Sequence, residues 1–543
     1  MTGPFGSSVA DYSGTIPGLL DLAAERDPGG TWLRTDEMTL TFGETAERVS
    51  GLAEERAQTG IGHGDLVMLT ARTTPDYLLA WLALTALGAI TVPVNPASAA
   101  AELAGLVGQV QPRAVLTDSD LRSAVDEAAG AGRPDGPRQS PRPVVLDVKS
   151  LGGLRSGRSL ADAASKPVRP SDLAVLIPTS GTTGRSKLVM QTHQAYTMAA
   201  EGFPYWMRLN SSDRLMTSLP LFHINAPIYS VLGSLACGAG LVLVPRFSAS
   251  RFLDTARRHG ATEFNAIGAM LEILMRQPER PDDADNPLRL CYAGPAPERE
   301  RHQQIERRFG LEIVVGYAMS ESPYGLVWPH GTRPYGTLGA ARQHPYLGTI
   351  NEVKVVAAAD EEAANDGSAA SESGPALAAG QTGEILLRNP VLTPGYLGMP
   401  EETAAIKTVD GWLRTGDLAT VNADGTYTFV GRRKEVLRRR GENLSPLEVE
   451  EVLDAHPDVL ESAVVGVESD LTEEEIKAFV VPAAGGQLDL AALREYASGR
   501  LTAFKVPRYW QVIGELPRTP TARIARHRLP TGHQADEYDA EAR

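Results

Sequence analysis

At 543 residues the chain exceeds what one hydrophobic core organises, so at least two domains are expected. Its 42% apolar and 22% charged residues are the proportions of an ordinary globular chain. A net charge of −15 excludes nucleic acid as a general partner, because backbone phosphates demand a positive surface, yet leaves room for a nucleotide at a local positive site.

From the N-terminus, Met1-Thr-Gly-Pro has neither a basic nor an apolar leader segment, so no signal peptide is expected. Residues 17–60 read as helices around a strand pair: Pro17 to Ala24 repeats apolar residues at helical spacing, and Thr39-Leu-Thr-Phe42 alternates as a strand does. Leu66 to Leu69 is a short buried strand, followed by a helix over 75–88 and a strand over Ile90 to Val94. The apolar run from Tyr77 to Val92 is too short for a membrane span and ends at Pro93, so no membrane is expected as a partner. A helix over 98–110 and a strand over Ala114 to Thr117 continue an alternation that predicts a parallel sheet covered by helices. Residues 130–170, rich in Gly, Pro, Arg and Ser, read as an exposed connection.

That connection leads to Leu173-Ala-Val-Leu-Ile177 and then to Thr179-Ser180-Gly181-Thr182-Thr183-Gly184-Arg185-Ser186-Lys187. Three threonines, two serines, two glycines and a lysine in nine residues suit an anion, since bare backbone N–H groups and small side chains can close around phosphate oxygens. It is not a Walker A loop, because Arg185 and Ser186 separate Gly184 from Lys187 and Leu188 follows. A plain polar turn between strands is the ordinary reading of such clusters.

Beyond it, strands are expected over Arg214 to Ser218, Gly240 to Val244, Glu263 to Ala266, Leu288 to Tyr292 and Leu311 to Val315, with helices near 226–237 and 249–259. The last two strands open into Ala293-Gly294-Pro295 and Gly316-Tyr317-Ala-Met-Ser320-Glu321, and open parallel sheets bind ligands at such ends. From about 336 short alternating strands predict a small β-rich subdomain interrupted by the low-complexity stretch 357–380. A Gly- and charge-rich segment runs from Gly411 to Glu435. A compact α+β region follows, with a helix over 446–454, a strand over Glu461 to Gly466, a helix over 488–500 and a frayed tail from Thr531. Cys237 and Cys291 are too few for a disulfide framework, so a reducing, cytoplasmic setting is expected.

Taken together, these separated stretches resemble the AMP-forming acyl- and aryl-CoA synthetases, the adenylate-forming superfamily, over residues 15–530. Leu219-Pro-Leu-Phe-His-Ile-Asn-Ala226 is most similar to the carnitine/crotonobetaine-CoA ligase type. The resemblance implies an α/β fold: a large N-terminal domain of stacked mixed and parallel sheets with helices and a small β-barrel-like subdomain, residues 1–430. A hinge at 431–435 and a mobile α+β C-terminal domain, 436–543, would complete it.

The same resemblance implies ATP and Mg²⁺ as cofactors and CoA as co-substrate. Thr179 to Lys187 would hold phosphates; Ala293, Gly294, Pro295, Gly316 and Tyr317 the adenine; and Asp417 and Arg432 the ribose hydroxyls. Ser320 takes the place of the family's usual Thr, and Glu321 would carry Mg²⁺, a hard ion that prefers carboxylate oxygen beside phosphates. His223 would gate the acyl pocket, and Lys434 would be the hinge about which the C-terminal domain turns. Each residue has a plain structural alternative when taken singly: a turn for Asp417, a solvated acid for Glu321, core packing for Tyr317, a satisfied histidine for His223.

One departure stands out. Where the family ends Pro-[Lys/Arg]-Thr-x-x-Gly-Lys, this chain has Pro517-Arg-Thr-Pro-Thr-Ala522-Arg523. A planar guanidinium is not a compact ammonium, so Arg523 would grip the carboxylate and α-phosphate differently. The expected function is an ATP-dependent, AMP-forming ligase that adenylates a small aromatic or apolar acid and transfers it to CoA or a carrier thiol, as a monomer or homodimer. Ile224, Phe264, Met270, Met319 and Trp328 are the expected apolar pocket residues. The alternatives are a diazotase-type enzyme that adenylates nitrite for an aromatic amine, motivated by Arg523, and a nucleotide-binding pseudoenzyme.

Overall fold

The computed structural model describes residues 3–131, 143–149, 159–160, 163–179, 186–267, 270–294, 297–358, 372–433, 437–439, 442–468, 474–483, 488–518, 524–534 and 536–540. Ser180, Gly181, Thr182, Thr183, Gly184, Pro295, Lys434 and Arg523 lie outside them. The chain divides into two compact units, residues 1–353 with 387–413, and residues 354–386 with 414–543.

In the first unit two sheets organise the described strands. The six-stranded sheet runs in the order Val144–Asp147, Ala114–Thr117, Leu66–Thr70, Ile90–Pro93, Leu173–Thr179, Lys187–Thr192, parallel except for the last pair. Alternation sends Val67 and Leu69 into one core and Met68 into another, so both faces of this sheet are covered. The helix Pro75–Ala86 begins with Thr74 capping the Tyr77 amide and a proline in its first turn. Ten of its twelve residues are buried, which is why its sequence is apolar on every side. On Phe42–Gln58, by contrast, a capping box between Thr41 and Glu44 fixes the start, and one face stays polar.

The second sheet of this unit has nine strands, with Ser322–Val327, Glu312–Met319, Leu290–Gly294, Glu263–Ile267, Arg214–Thr217 and Gly240–Leu243 in sequence across it. Glu312–Met319 pairs parallel with Leu290–Gly294 on one side and antiparallel with Ser322–Val327 on the other. The expectation that Gly316 to Glu321 opens into a loop is therefore corrected. The antiparallel partner carries the strand on to Met319, and Ser320 and Glu321 form the tip of a hairpin closed by Met319 opposite Ser322. The Gly-rich connection 130–170 also holds an unexpected strand, Val144–Asp147, paired with Ala114–Thr117.

Most of the four-stranded sheet Glu352–Val356, Thr382–Arg388, Leu413–Val421, Tyr427–Arg432 belongs to the second unit. A second four-stranded sheet in this unit, Val459–Glu468, Glu474–Pro482, Tyr509–Val512 and Tyr538–Asp539, is packed by the helices Pro446–Asp454 and Leu490–Ser498. Over its described residues, 531–534 and 536–540, the tail is not frayed as expected. Tyr538–Asp539 adds a strand to this sheet, Asp539 pairs with Arg508 at 3.1 Å, and Glu537 meets the fully buried Lys477 at 2.7 Å. Among the described residues no helix is long and apolar enough to cross a membrane.

Candidate active site

In the first unit the Ser/Thr/Gly-rich loop joins two antiparallel strands, Leu173–Thr179 and Lys187–Thr192, with Thr179 opposite Lys187. The strand pair fixes where Lys187 starts, and a remote segment fixes where it points. Residues 393–397 run beside the second strand: Met190 N donates to Gly395 O at 3.0 Å, and Leu397 N to Leu188 O at 3.0 Å. This brings the Tyr396 ring under Lys187, whose Nζ lies 4.7 Å from the ring centroid. At its other end Tyr396 Oη donates to Glu321 Oε1 at 2.8 Å. Lys187, Tyr396 and Glu321 thus form one line of contact from the loop to the hairpin tip.

That tip is held from behind. Thr393 N donates to Glu321 O at 2.8 Å, and the fully buried Gln191 donates through Nε2 to Ser320 O at 2.6 Å. Glu321 and Ser320 are half-buried, so their side chains can meet both the protein and solvent. Two glycines set the neighbouring strand ends. A Cβ at Gly294 would come within 2.8 Å of Gly316 O, and one at Gly316 would meet Tyr292 at 2.5 Å and Arg342 at 2.9 Å. Only residues without side chains allow these strands to lie so close.

Arg342 itself is fully buried, donating to Tyr229 Oη at 2.7 Å, Pro323 O at 2.9 Å, Leu326 O at 3.0 Å and Tyr292 Oη. It braces Leu290–Gly294 and Ser322–Val327, the two strands that flank the one carrying Gly316 and Tyr317. Tyr317 is half-buried opposite Leu326. His223 is half-buried too, its ring edge-on to Phe222 at 4.5 Å.

In the second unit Asp417 and Arg432 stand opposite one another on adjacent strands, Nε to Oδ1 at 3.1 Å. Asp417 is buried and Arg432 exposed. The turn before Asp417 depends on Gly416 at φ +71° and on Thr415, whose Oγ1 donates to Ile385 O at 2.8 Å and accepts from Asp417 N at 3.0 Å. A residue with no motif around it braces this turn. Glu384, 1% exposed, accepts from Gly416 N at 3.1 Å and pairs with Arg414 at 3.1 Å and Arg433 at 3.7 Å.

The structure therefore brings Thr179, Lys187, Ser320 and Glu321 together in one unit, with Gly316 and Tyr317 on the strand that leads to the hairpin tip and Ala293 and Gly294 at the end of its parallel neighbour. It brings Asp417 and Arg432 together in the other. Gln191, Tyr396, Arg342 and Glu384 were not singled out from the sequence. Thr393-Pro-Gly-Tyr396 carries a turn signature that could have pointed to Tyr396, but the other three have none. Three expected pocket residues are core instead: Phe264 packs on Phe252 at 4.8 Å, Trp328 stacks on His302 at 5.0 Å, and Met270 is buried in the main core. On either side of residues 519–523, Arg518 bridges to Ile524 and Ala525 N donates to Pro517 O at 2.7 Å.

Comparison with known proteins follows the same lines. The AMP-binding enzyme family matches residues 20–397, and the C-terminal domain of AMP-binding enzymes matches residues 448–523. The sulfoacetate–CoA ligase of Cupriavidus necator is 32% identical over 523 residues, covering 95% of this chain and 97% of that protein. A crotonobetaine/carnitine–CoA ligase of Salmonella agona is 28% identical, covering 90% and 93%. The ATP-bound crystal structure of MatB from Rhodopseudomonas palustris superposes with a TM-score of 0.78 at 26% identity, covering 94% of this chain and 97% of that one. An anthranilate CoA ligase, 23% identical with a TM-score of 0.80, shares the fold. The curated relatives named here are acid–thiol ligases and lend nothing to nitrogen–nitrogen chemistry.

Proposed function

Since this chain belongs to the AMP-binding enzyme family, we propose that it activates a small organic acid as an acyl-adenylate and passes the acyl group to the thiol of CoA. The line Lys187–Tyr396–Glu321 carries the reading, because it sets a cation over the face of one ring and a carboxylate at its hydroxyl, beside a loop suited to an anion. In the first step a carboxylate oxygen of the acid attacks the α-phosphorus of ATP in line, and the bond to pyrophosphate breaks. Lys187 and the loop from Thr179 neutralise phosphate charge, and Tyr317, with Gly294 and Gly316, receives the base. Asp417, paired with Arg432, would accept from the ribose hydroxyls. Positioning and charge neutralisation suffice here, and no side-chain nucleophile is required.

Mg²⁺ would bind at Glu321, where it would supply Lewis-acid neutralisation of the phosphate oxygens. The donor fits, being a hard carboxylate with one oxygen tied to Tyr396 Oη. Among the described residues no three His, Cys, Asp or Glu side chains gather as a metal site. In the second step the thiolate sulfur attacks the acyl carbon and AMP leaves. Arg523 would serve the first step in place of the family's Lys, Lys434 in 431–435 would be the pivot between steps, and His223 would control entry of the thiol. Free Cys237 and Cys291 fit a reducing compartment such as the cytoplasm.

The test is product analysis. Purified protein with MgATP, CoA and a panel of acids should yield AMP, pyrophosphate and a thioester in equal amounts for at least one acid. ADP in place of AMP, or nucleotide binding with no turnover on any acid, would overturn the proposal.

A further inference from the structure

Two asparagines form a polar contact that the reaction above does not use. Asn265, 1% exposed, lies on the strand Glu263–Ile267, and its Nδ2 donates to Asn225 Oδ1 at 2.6 Å. Alternation on that strand sends Phe264 against Phe252 of the helix Phe252–His259, so Asn265 faces the opposite side. There it meets the start of a π-helical segment, Ala226–Leu232, an uncommon geometry that frequently occurs at functional sites. Asn225 is the residue before that segment but makes no capping bond with its side chain, which turns to Asn265 instead.

Neither amide is used up by this contact. Asn265 Oδ1 is buried with no hydrogen-bond partner among the described residues. A buried polar atom without a partner is costly, and native proteins rarely keep one that nothing satisfies. The pair also lies close, in sequence and in register, to the residues that the ligase reading assigns to the acid and the base. Asn225 is two residues beyond His223 and half-exposed, and Asn265 is paired across the sheet with Tyr292, one residue before Ala293 and Gly294.

We propose that Asn225 and Asn265 form a subsite in the acid pocket that selects a substrate carrying a neutral hydroxyl or amino group besides its reacting carboxylate. This rests on the ligase reading above and adds the substrate class to it. One hydrogen bond between two amides leaves one donor group and one acceptor group to offer, whichever way each amide is turned. A hydroxyl or an amine answers both. A second carboxylate or a sulfonate does not, because an uncharged pair cannot offset a buried anion. The chain would therefore differ in substrate from a sulfoacetate ligase despite its similarity to one.

AMP release tests this on the full-length protein with acids in matched sets: benzoate, cinnamate and butyrate as parents, their hydroxy- and amino-substituted forms, and the dianions malonate and sulfoacetate. The substituted acids should exceed their parents in kcat/KM by roughly 10- to 100-fold, because an unpaired buried acceptor penalises a substrate that lacks the donor. In Asn265→Leu, similar in size and apolar, that preference should collapse toward the parent acid while AMP release persists. Wild-type preference for a parent or a dianion would overturn the subsite and leave the ligase reading standing, and so would an equal loss on all acids in a folded Asn265→Leu. Should the variant not fold, wild-type selectivity decides alone. No AMP from any acid would sink the ligase reading and the subsite with it.

Discussion

Replacing Tyr396 by phenylalanine removes one oxygen and tests how Glu321 is held. The ring stays, so the Lys187 contact at 4.7 Å and the packing of this buried residue survive. What disappears is the 2.8 Å hydrogen bond from Tyr396 Oη to Glu321 Oε1. A hydrogen bond to a charged group contributes about 1.5–3 kcal/mol. At about 1.4 kcal/mol per decade that is roughly a ten- to a hundredfold effect on the step that Glu321 serves. Glu321 is half-buried, so water will replace part of the loss, and the lower end is expected. The assay is ATP–pyrophosphate exchange titrated with Mg²⁺ at fixed ATP and acid. Tyr396→Phe should shift the Mg²⁺ midpoint upward by about tenfold, with a melting temperature close to wild type. An unchanged Mg²⁺ midpoint together with unchanged exchange would refute the reasoning, since Tyr396 would then be packing only.

Three further substitutions probe parts of the account that do not depend on that bond. Glu384→Gln removes the charge that faces Arg414 and Arg433, leaving the turn at Thr415–Asp417 without its brace. ATP affinity by calorimetry should fall about tenfold, the scale of losing one ionic hydrogen bond, and unaltered affinity would count against the role given to Glu384. Gly294→Ala places a Cβ 2.8 Å from Gly316 O, so the strands must part; nucleotide binding should weaken while the circular dichroism spectrum is retained. His193 is fully buried, and burial holds its imidazole at about 4 against an ordinary 6.5. Below pH 6.5 the unfolded chain takes up a proton that the folded chain refuses, so its stabilisation is full above 6.5 and is lost as pH falls toward 4. The gap corresponds to about 3 kcal/mol, and denaturant titrations across this window should show a slope that His193→Gln flattens.

The local chemistry was legible because it is contiguous. Thr179 to Lys187 carries its own glycines and hydroxyls, so composition marks it, whereas Asp417 and Arg432 were reached only through the family resemblance. Repeated alternation of buried strands and helices likewise exposed the first unit. What stayed hidden is what tertiary structure assembles. In the first unit Tyr396 reaches Lys187 and Glu321 from a remote segment, and in the second Glu384 reaches the Thr415–Asp417 turn from the neighbouring strand; a buried glutamate has no local signature. Glu312–Met319 ran past its expected end because an antiparallel partner, Ser322–Val327, supplied hydrogen bonds that no window of sequence reveals. The tail was misjudged for a similar reason. Its polar residues look solvated, yet Glu537 and Asp539 are claimed by Lys477 and Arg508 across the sheet. Phe264 was expected in the pocket from its place at a loop, whereas strand alternation packs it on Phe252 and makes Asn265 the residue that meets Asn225.

The central claim is that the acid's own oxygen bonds to the α-phosphorus. An acid that supports turnover, labelled with oxygen-18 in its carboxylate, settles it by mass spectrometry of the products after thioester formation. One labelled oxygen recovered in AMP is the result predicted here, because the acyl–oxygen bond breaks when the thiol attacks. Label in inorganic phosphate, or unlabelled AMP beside a labelled acid, would contradict it.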